Sequence, residues 1–380
     1  MAAVDRLGNL GILGGGQLAR MTAHAARHLG YAVRVLDPSP QCAARSAVER
    51  VIEAPLTSVE HARELAAQSD VVTIDTEHVP ADVLVQLARM VEVHPSAHVL
   101  AIVQDRGAQK RWLERRGYPV GDYRYTRSEP ELEAALRAWP GTLYVKRRRE
   151  GYDGRGQAKY EVPPSATEVI RALGSAELIV ERAVPYQREL SVLVARGRRG
   201  ELAVYPPAHN HHERGVLAWS VFPASLPAAV TQRAQELAAS LARDLEVCGL
   251  LCVEMFLTHD GELLVNELAP RPHNSYHATE RGAQVDQFEQ LVRAVSGLPL
   301  GSTAVRKPAA ICNLLGELWR EEGGPNLREA LSLPGVTVQL YGKLVAQPGR
   351  KMGHLTAVAD TPEEACALVQ RAFALAREGR

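Results

Sequence analysis

The sequence has no cysteine pair of the kind that binds zinc or forms a redox dithiol. Its five cysteines, Cys42, Cys248, Cys252, Cys312 and Cys366, are scattered, with no C-x-x-C among them. An odd, unpatterned set predicts reduced thiols in a cytoplasm rather than a disulfide framework. Cys248 and Cys252 are expected to pack as small apolar residues. There is no excess of charge either. The 44 Lys+Arg balance 44 Asp+Glu, which argues against a general binder of nucleic acid or other polyanions. No apolar run reaches the length of a membrane span, and the opening residues lack a signal-peptide pattern. A cytoplasmic protein with no membrane partner is therefore expected. Internal repeats and low-complexity tracts are absent, and so is the G-K-[ST] ending of a Walker A loop. What remains is 380 residues, 46% hydrophobic and 23% charged, the balance of an ordinary globular protein long enough for two or three domains.

Leu7–Leu13 reads as an apolar strand ending in Gly14-Gly15-Gly16. Gln17 to Leu29 reads as a helix, and Tyr31–Leu36 as a second strand ending at Asp37. This G-x-G-x-x-A run (Gly14, Gly16, Ala19), with an acidic residue 21 positions after Gly16, matches the dinucleotide fingerprint. One reading is a nicotinamide-dependent dehydrogenase. The other is a βαβ unit whose helix N-terminus holds some other phosphate. Val48–Ile52 and Val71–Ile74 add further strands to an α/β sheet, and Val91–Pro95 closes this first domain. Asp75 and Glu77 follow a strand's C-terminal end, where open α/β sheets bind ligands; they face one pocket or cap the next helix.

The stretch with the most chemistry lies further on. Leu251–Leu257 and Glu262–Glu267 predict a β-hairpin about Asp260-Gly261, the dipeptide that a two-residue type I′ turn demands. Pairing His259 with Glu262 puts Glu254 opposite Glu267. Paired Cβ atoms lie about 4.5–5.5 Å apart, and like charges so placed repel. Unless both are solvated on an exposed face, a cation or a shared proton is needed between them. Mg²⁺ carrying phosphates suits such a pair. Asn266, Arg271, His273, Asn274 and Ser275 crowd the same strand end, where anion-binding groups collect.

Upstream, Gln104–Arg116 predicts a charged helix with Arg106 and Lys110 one turn apart, a solvated face if nothing else contacts it. A strand, Leu143–Lys146, runs through Arg147, Arg148 and Arg149 into Gly151, Tyr152, Asp153, Gly154, Arg155, Gly156 and Gln157. The backbone N–H groups of so glycine-rich a loop can close over phosphates. Leu178–Glu181 predicts a strand continuing into Arg182, Ala183 and Val184, a hinge whose backbone can pair with an adenine edge, with Glu189 beyond it placed for a ribose. His209-Asn210-His211-His212 suggests zinc, but neighbouring side chains of an extended chain point to opposite faces. No cysteine or acidic partner stands at ligand spacing there. Ala228–Glu246, Gln284–Ser296 and Pro362–Arg377 read as helices. Arg350 and Lys351 sit in a turn that is plain surface or reaches back to a phosphate.

The segments GILGGGQLARM, QDRGAQK, YVKRRREGYDGRGQ, RELSVLVARG, NELAPRPHNS and PGRKMGHLT span residues 11–356. In type and order they resemble the ATP-grasp superfamily, and within it the N5-carboxyaminoimidazole ribonucleotide synthetase family. The resemblance implies an α/β fold, α+β in its ATP-grasp part. It implies a Rossmann-like pre-ATP-grasp domain over 1–105, an ATP-grasp domain over 106–298 with a lid at about 117–185, and a C-terminal domain over 299–380. The implied enzyme is a ligase of purine biosynthesis. It joins bicarbonate to the exocyclic amine of 5-aminoimidazole ribonucleotide (AIR), with ATP going to ADP and phosphate. Carboxyphosphate forms first, and its carboxyl group or released CO₂ is taken by the amine. Mg²⁺ is the implied cofactor, a homodimer the implied assembly, and a downstream mutase the recipient of the product. Formate-using glycinamide ribonucleotide transformylase and biotin carboxylase would share the ATP site and are the nearest rivals.

By resemblance, ATP is contacted by Arg106, Lys146, the 151–157 loop, Glu181, Arg182, Ala183, Val184, Glu189, His212, Asn266 and Glu267. Glu254 and Glu267 hold Mg²⁺. Gln17, Leu18, Glu77, Tyr152, Arg271, His273, Asn274, Ser275, Arg350 and Lys351 form the AIR and bicarbonate pocket. Arg271, Asp153 and His273 are the catalytic group, Arg271 first among them for charge on the transferring group. Four features depart from the family pattern. Ile74-Asp75-Thr76-Glu77 stands for aromatic-Glu-aromatic-Glu, Tyr276 for Gly, Ala278 for an aromatic residue, and Gln347 for Arg. All are expected at the pocket rim.

Overall fold

Strands apolar on both faces make parallel sheets covered by helices, and the start of the chain does this. The computed structural model describes residues 7–149, 156–319 and 323–378. Gly8–Leu13 is the middle of a five-stranded parallel sheet. Tyr31–Asp37 and then Arg50–Glu53 lie on one side of it, Val71–Ile74 and Glu92–Val93 on the other. Val71–Ile74 is buried throughout. The helix Gln17–His28 turns Leu18, Ala19, Met21, Ala23 and Ala26 inward.

A second sheet is small and antiparallel. Its strands run Tyr123–Thr126, Leu178–Arg182, Leu143–Arg147 and Gln157–Tyr160 in spatial order. It has a core of its own, with Leu132 and Leu136 of the helix Glu129–Leu136 and Val169 of the helix Ala166–Leu173 packed on Leu143, Val145, Leu178 and Val180.

The third sheet is the largest. From one edge it runs Leu263–Ala269, Gly249–Thr258, Tyr186–Arg196, Ala208–Glu213, Val216–Phe222, Ala309–Leu315, Lys351–Val358 and Val336–Leu340, with Leu202–Val204 added beside Tyr186–Arg196. The C-terminal strands therefore have no sheet of their own; Ala309–Leu315 pairs directly with Val216–Phe222. The helix Pro362–Arg377 has the bounds its sequence predicts. Thr361 and Glu364 form a capping box and Pro362 opens the first turn, two start signals legible in sequence. Its Ala365, Val369, Ala372 and Ala376 close the core over these strands.

The central hairpin pairs Glu254 with Glu267, but not by the expected turn. Only Gly261 has positive φ, +79°; Asp260 does not. Thr258 N–H donates to the Glu262 carbonyl at 2.9 Å, and Gly261 N–H to the Thr258 carbonyl at 3.0 Å. The loop is thus three residues, His259 to Gly261, with glycine at the left-handed position. That shifts the register by one over Met255↔Val265, Phe256↔Leu264 and Leu257↔Leu263. An irregularity between Glu254 and Met255 shifts it back, so Glu254↔Glu267 is restored. Asn266 is the extra residue, a β-bulge of the sort that re-aims side chains beside functional sites.

The glycine-rich start is not a dinucleotide site. Asp75 accepts from Gly16 N–H (2.8 Å) and Ala19 N–H (2.5 Å), and Asp37 accepts from Gly15 N–H (2.7 Å). The helix end that would hold a pyrophosphate is filled by the protein's own carboxylate. A Cβ at position 16 would come within 2.3 Å of the Asp75 carboxyl oxygen, so glycine here admits a side chain rather than a cofactor. Asp75 thus caps the helix Gln17–His28, far back in the chain, not the next one. Its burial raises its pKa, against the backbone donors that lower it.

Candidate active site

One cleft of about 1520 Å³ is lined by residues of the second and third sheets, the helix Gln17–His28 and the loop after Val71–Ile74. Ligand sites commonly occupy about 300–1,000 Å³, so this volume has room for more than one small molecule. Of the residues singled out in the sequence, Gln17, Leu18, Glu77, Arg106, Lys146, Gln157, Glu181, Arg182, Ala183, Val184, Glu189 and His212 line it. So do Glu254, Asn266, Glu267, Arg271, His273, Asn274, Arg350 and Lys351. Gly151, Tyr152, Asp153, Gly154 and Arg155 lie outside the described residues. Gly156 accepts from Arg147 N–H at 2.7 Å through its carbonyl.

At one end the small sheet presents a buried charge cluster. Lys110 Nζ lies 3.2 Å from Glu181 Oε1, and Lys146 Nζ pairs with Glu181 Oε2. Burial would raise the Glu181 pKa, but Lys146 and Lys110 hold it at about 2. The strand predicted as a hinge therefore offers the cleft a side chain already committed to two ammoniums. The arginine run beside it is largely spoken for. Arg148 Nε donates to Asp105 at 2.5 Å and Arg149 Nε at 3.4 Å, and Arg106 donates to the Arg147 carbonyl at 3.0 Å. Glu189 accepts from Tyr186 O–H at 2.6 Å and pairs with His212. Burial alone would lower the His212 pKa; the bond to Glu189 and the nearby Glu254 raise it.

In the middle stands the carboxylate pair. Glu254 Oε1 is 3.1 Å from His273 Nε2. Against the cost of burial, this bond holds the Glu254 carboxyl at about 2. The His273 pKa rises to about 10, burial opposing and Cys252 and Glu254 favouring the charged ring. Two carboxylates at Cβ-pair distance, one supplied with a cationic ring and the other flanked by the Asn266 bulge, form an oxygen-rich set. They fit Mg²⁺, which takes one or two carboxylates and completes its octahedron with waters and substrate phosphates. Among the described residues no group of three or more His, Cys, Asp or Glu is arranged to hold a metal by itself, so the ligand set would need a phosphate partner.

At the other end Arg271 Nε donates to Glu77 Oε2 at 2.7 Å. This pair joins the first sheet to the loop after Leu263–Ala269. Arg350, Lys351 and Gln347 line the cleft from the C-terminal segment. Ser275 does not face the cleft as expected. It is fully buried, its Oγ 2.8 Å from both Ser191 Oγ and His273 Nδ1. Asn210 and Ser220 extend this network. Ser275 is placed to orient the His273 ring, not to touch a ligand. Tyr276 and Ala278 are also fully buried, away from the rim. The Tyr276 hydroxyl donates to the Ser191 and Pro206 carbonyls at 2.8 and 2.9 Å, and its ring meets Tyr205 and Phe222. Of the four departures, Gln347 and the 75–77 stretch do line the cleft.

Sequence reasoning missed four contributors. Lys110 and Gln109 sit on a helix that looked solvated yet are 5% and 2% exposed. Tyr186 and Phe256 stack with centroids 4.8 Å apart on the cleft wall beside the hinge; their alternation in strands carries no distinguishing signal. The zinc candidates are placed otherwise: His209 and His211 flank the Trp219 ring, and His212 pairs with Glu189.

Comparison with known proteins agrees with this geometry. Residues 7–104 match a ribonucleotide synthetase preATP-grasp domain, 111–288 an ATP-grasp domain, and 309–367 a phosphoribosylaminoimidazole carboxylase C-terminal domain. The chain is 38% identical over 357 residues to the N5-carboxyaminoimidazole ribonucleotide synthase of Bacillus subtilis, covering 93% of this chain and 92% of that one. A crystal structure of an N5-carboxyaminoimidazole ribonucleotide synthetase as its ADP complex superposes with a TM-score of 0.91 at 37% identity over 97% of both chains. The Aspergillus clavatus synthase, solved with ADP and 5-aminoimidazole ribonucleotide, gives 0.88 at 31% identity, covering 97% of this chain and 98% of that one. The chain belongs to the N5-carboxyaminoimidazole ribonucleotide synthase family of ATP-grasp ligases.

Proposed function

We propose that this cleft carries out the ATP-dependent carboxylation of AIR, joining bicarbonate carbon to the exocyclic nitrogen. The protein is an ATP-using ligase that forms a C–N bond in purine biosynthesis. The observation that carries the residue-level reading is that one cleft gathers three kinds of group. They are the nucleotide candidates Lys146, Arg106 and Glu189, the carboxylate pair Glu254 and Glu267, and Arg271 with His273 and Glu77. Phosphoryl transfer asks for positioning and charge neutralisation rather than a covalent nucleophile, and such a set supplies both.

Bicarbonate oxygen attacks the γ-phosphorus of ATP, ADP leaves, and carboxyphosphate forms. The amine of AIR then takes the carboxyl group, or the CO₂ released from it; phosphate leaves and the nitrogen gives up a proton. Lys146 and Arg106 orient the phosphates. Glu254, Glu267 and Asn266 would hold Mg²⁺, which when bound neutralises the phosphate charge. Arg271 faces the transferring group, kept in place by Glu77. His273, orientated by Ser275 and Glu254, presents its ring to bicarbonate. Gln17, Leu18, Asn274, Arg350 and Lys351 hold AIR, with Tyr152 and Asp153 contributed by the glycine loop. Domain limits of 1–105, 106–298 and 299–380, a homodimer, a cytoplasmic location and transfer of product to a mutase complete the proposal. Among the described residues no helix is long and apolar enough to cross a membrane.

The test is ADP release with ATP, Mg²⁺ and bicarbonate, with and without AIR. Strong stimulation by AIR supports the reading. Stimulation by glycinamide ribonucleotide and formate instead would replace it.

A further inference from the structure

The strand Leu263–Ala269 is the edge of the large sheet, and it carries Asn266 and Glu267. An edge strand leaves every second N–H and C=O without a sheet partner, and buried groups of this kind need one. Here the partners come from outside the sheet, and three are concentrated at the bulge. Val265 N–H donates to the Pro119 carbonyl at 2.8 Å. The Val265 carbonyl accepts from Lys110 Nζ at 3.4 Å. Leu268 N–H donates to Gln109 Oε1 at 3.1 Å. Two consecutive residues of the helix Arg106–Arg115 thus grip the strand at 265 and 268, on either side of Asn266 and Glu267.

The helix is itself fixed. Its N-cap Asp105 accepts from Ala108 N–H at 3.0 Å and from Arg148, and Gln109 Nε2 donates to the Val103 carbonyl at 3.4 Å. Lys110 also makes the ion pair with Glu181. One buried ammonium therefore ties the carboxylate-bearing bulge to Glu181, on the strand beside the one that carries Lys146. Its second effect is electrostatic. Glu181 is shared by Lys110 and Lys146, so if Lys146 turns to a phosphate, Glu181 keeps a counter-ion.

We propose that Gln109 and Lys110 are positioning residues for the metal–phosphate site, clamping the Asn266–Glu267 bulge in register and linking it to Glu181 and Lys146. This rests on the reading of Glu254 and Glu267 as Mg²⁺ ligands. Lys110 reaches the cleft wall, whereas Gln109 is not among the residues lining it. Both act through the backbone of the strand that presents the ligands, and Lys110 also through Glu181.

The experiment compares wild type with Lys110→Met, Lys110→Arg and Gln109→Leu. Two readouts besides turnover are taken: calorimetric binding of ADP at a series of Mg²⁺ concentrations, and the Mg²⁺ concentration giving half-maximal ADP release. Groups that hold metal ligands in place are worth about 10–100-fold in metal affinity. Lys110→Met is expected to raise the half-saturating Mg²⁺ about tenfold or more and to weaken ADP binding only when Mg²⁺ is present. Lys110→Arg is expected to recover most of this. Gln109→Leu is expected to shift the Mg²⁺ requirement in the same direction by less. A folded Lys110→Met with wild-type Mg²⁺ dependence overturns the proposal. If Lys110→Met does not fold, Gln109→Leu decides it: a lowered melting temperature with an unmoved Mg²⁺ requirement in that variant overturns the proposal. Wild-type ADP binding that ignores Mg²⁺ would overturn the metal assignment, and this clamp with it.

Discussion

Replacing Glu181 by Gln keeps the shape of the hinge side chain and removes its charge. Two ammoniums, Lys110 and Lys146, then face each other without the carboxylate that both pair with, their side chains only 7% and 14% exposed. The size of the effect follows from the carboxyl itself. Holding an acid from its ordinary 4.5 down to about 2 corresponds to about 3 kcal/mol in favour of the charged, folded form. Breaking a buried ion pair by removing one partner costs a similar amount, about 3–5 kcal/mol. For a unit of this size the melting temperature should fall by about 5–10 °C. The pH dependence has a definite sign. A depressed folded pKa contributes stability that is fully present above pH 4.5 and lost as pH falls toward 2. The gap between wild type and Glu181→Gln should therefore be constant from pH 8 to 5 and shrink below that. Thermal melts or urea unfolding across this range are the assay. Adding Lys110→Met to Glu181→Gln removes the surplus cation and should restore part of the loss. A Glu181→Gln protein that melts with wild type at neutral pH, or a gap that widens on acidification, would refute the reasoning.

Glu267→Gln should leave the melting curve nearly unchanged while removing Mg²⁺-dependent ADP release; retained turnover would sink the metal assignment. Arg271→Met should lower kcat about 10²–10³-fold with the KM for ATP little changed, read from AIR-stimulated ADP formation at saturating substrates. Asp286 caps the helix Gln287–Ser296 through Phe288 N–H and Glu289 N–H, and burial raises its pKa to about 6. An acid with a raised folded pKa costs stability when charged, so wild type should gain stability relative to Asp286→Asn as pH falls from 6 toward 3.8. Melting curves of both proteins at several pH values check this.

The pairing of Glu254 with Glu267 was legible in sequence, yet the reason was not. Asp260-Gly261 marks a turn but not its length. The bulge at Asn266 that cancels the longer loop has no local signature, because it is specified by what grips the strand from outside. The helix Pro362–Arg377 was readable to the residue because its start signals are local. Asp75 was divisible two ways, since its true partner, the Gly16–Ala19 turn, lies almost sixty residues earlier. Lys110 and Gln109 looked solvated for the same reason: their partners are on strands from distant parts of the chain. Ser275 and Tyr276 sat in a motif rich in ligand-binding types, and nothing in that motif says which members turn inward. Composition and motif order identify the site; its inner supports are tertiary.

The continuity of the large sheet has a consequence for how the enzyme assembles around its substrates. Glu254 and Lys351 stand on the same plate, separated only by hydrogen-bonded ladders from Gly249–Thr258 through Tyr186–Arg196, Ala208–Glu213, Val216–Phe222 and Ala309–Leu315. Their spacing is held by these ladders, so the part of the cleft that they line is a preset jaw. Among the described residues, the four-stranded sheet that carries Lys146 and Glu181 shares no ladder with that plate. Closure over a nucleotide would therefore be the travel of a small jaw against a fixed one. Substrate geometry at the amine would already be set before ATP is gripped.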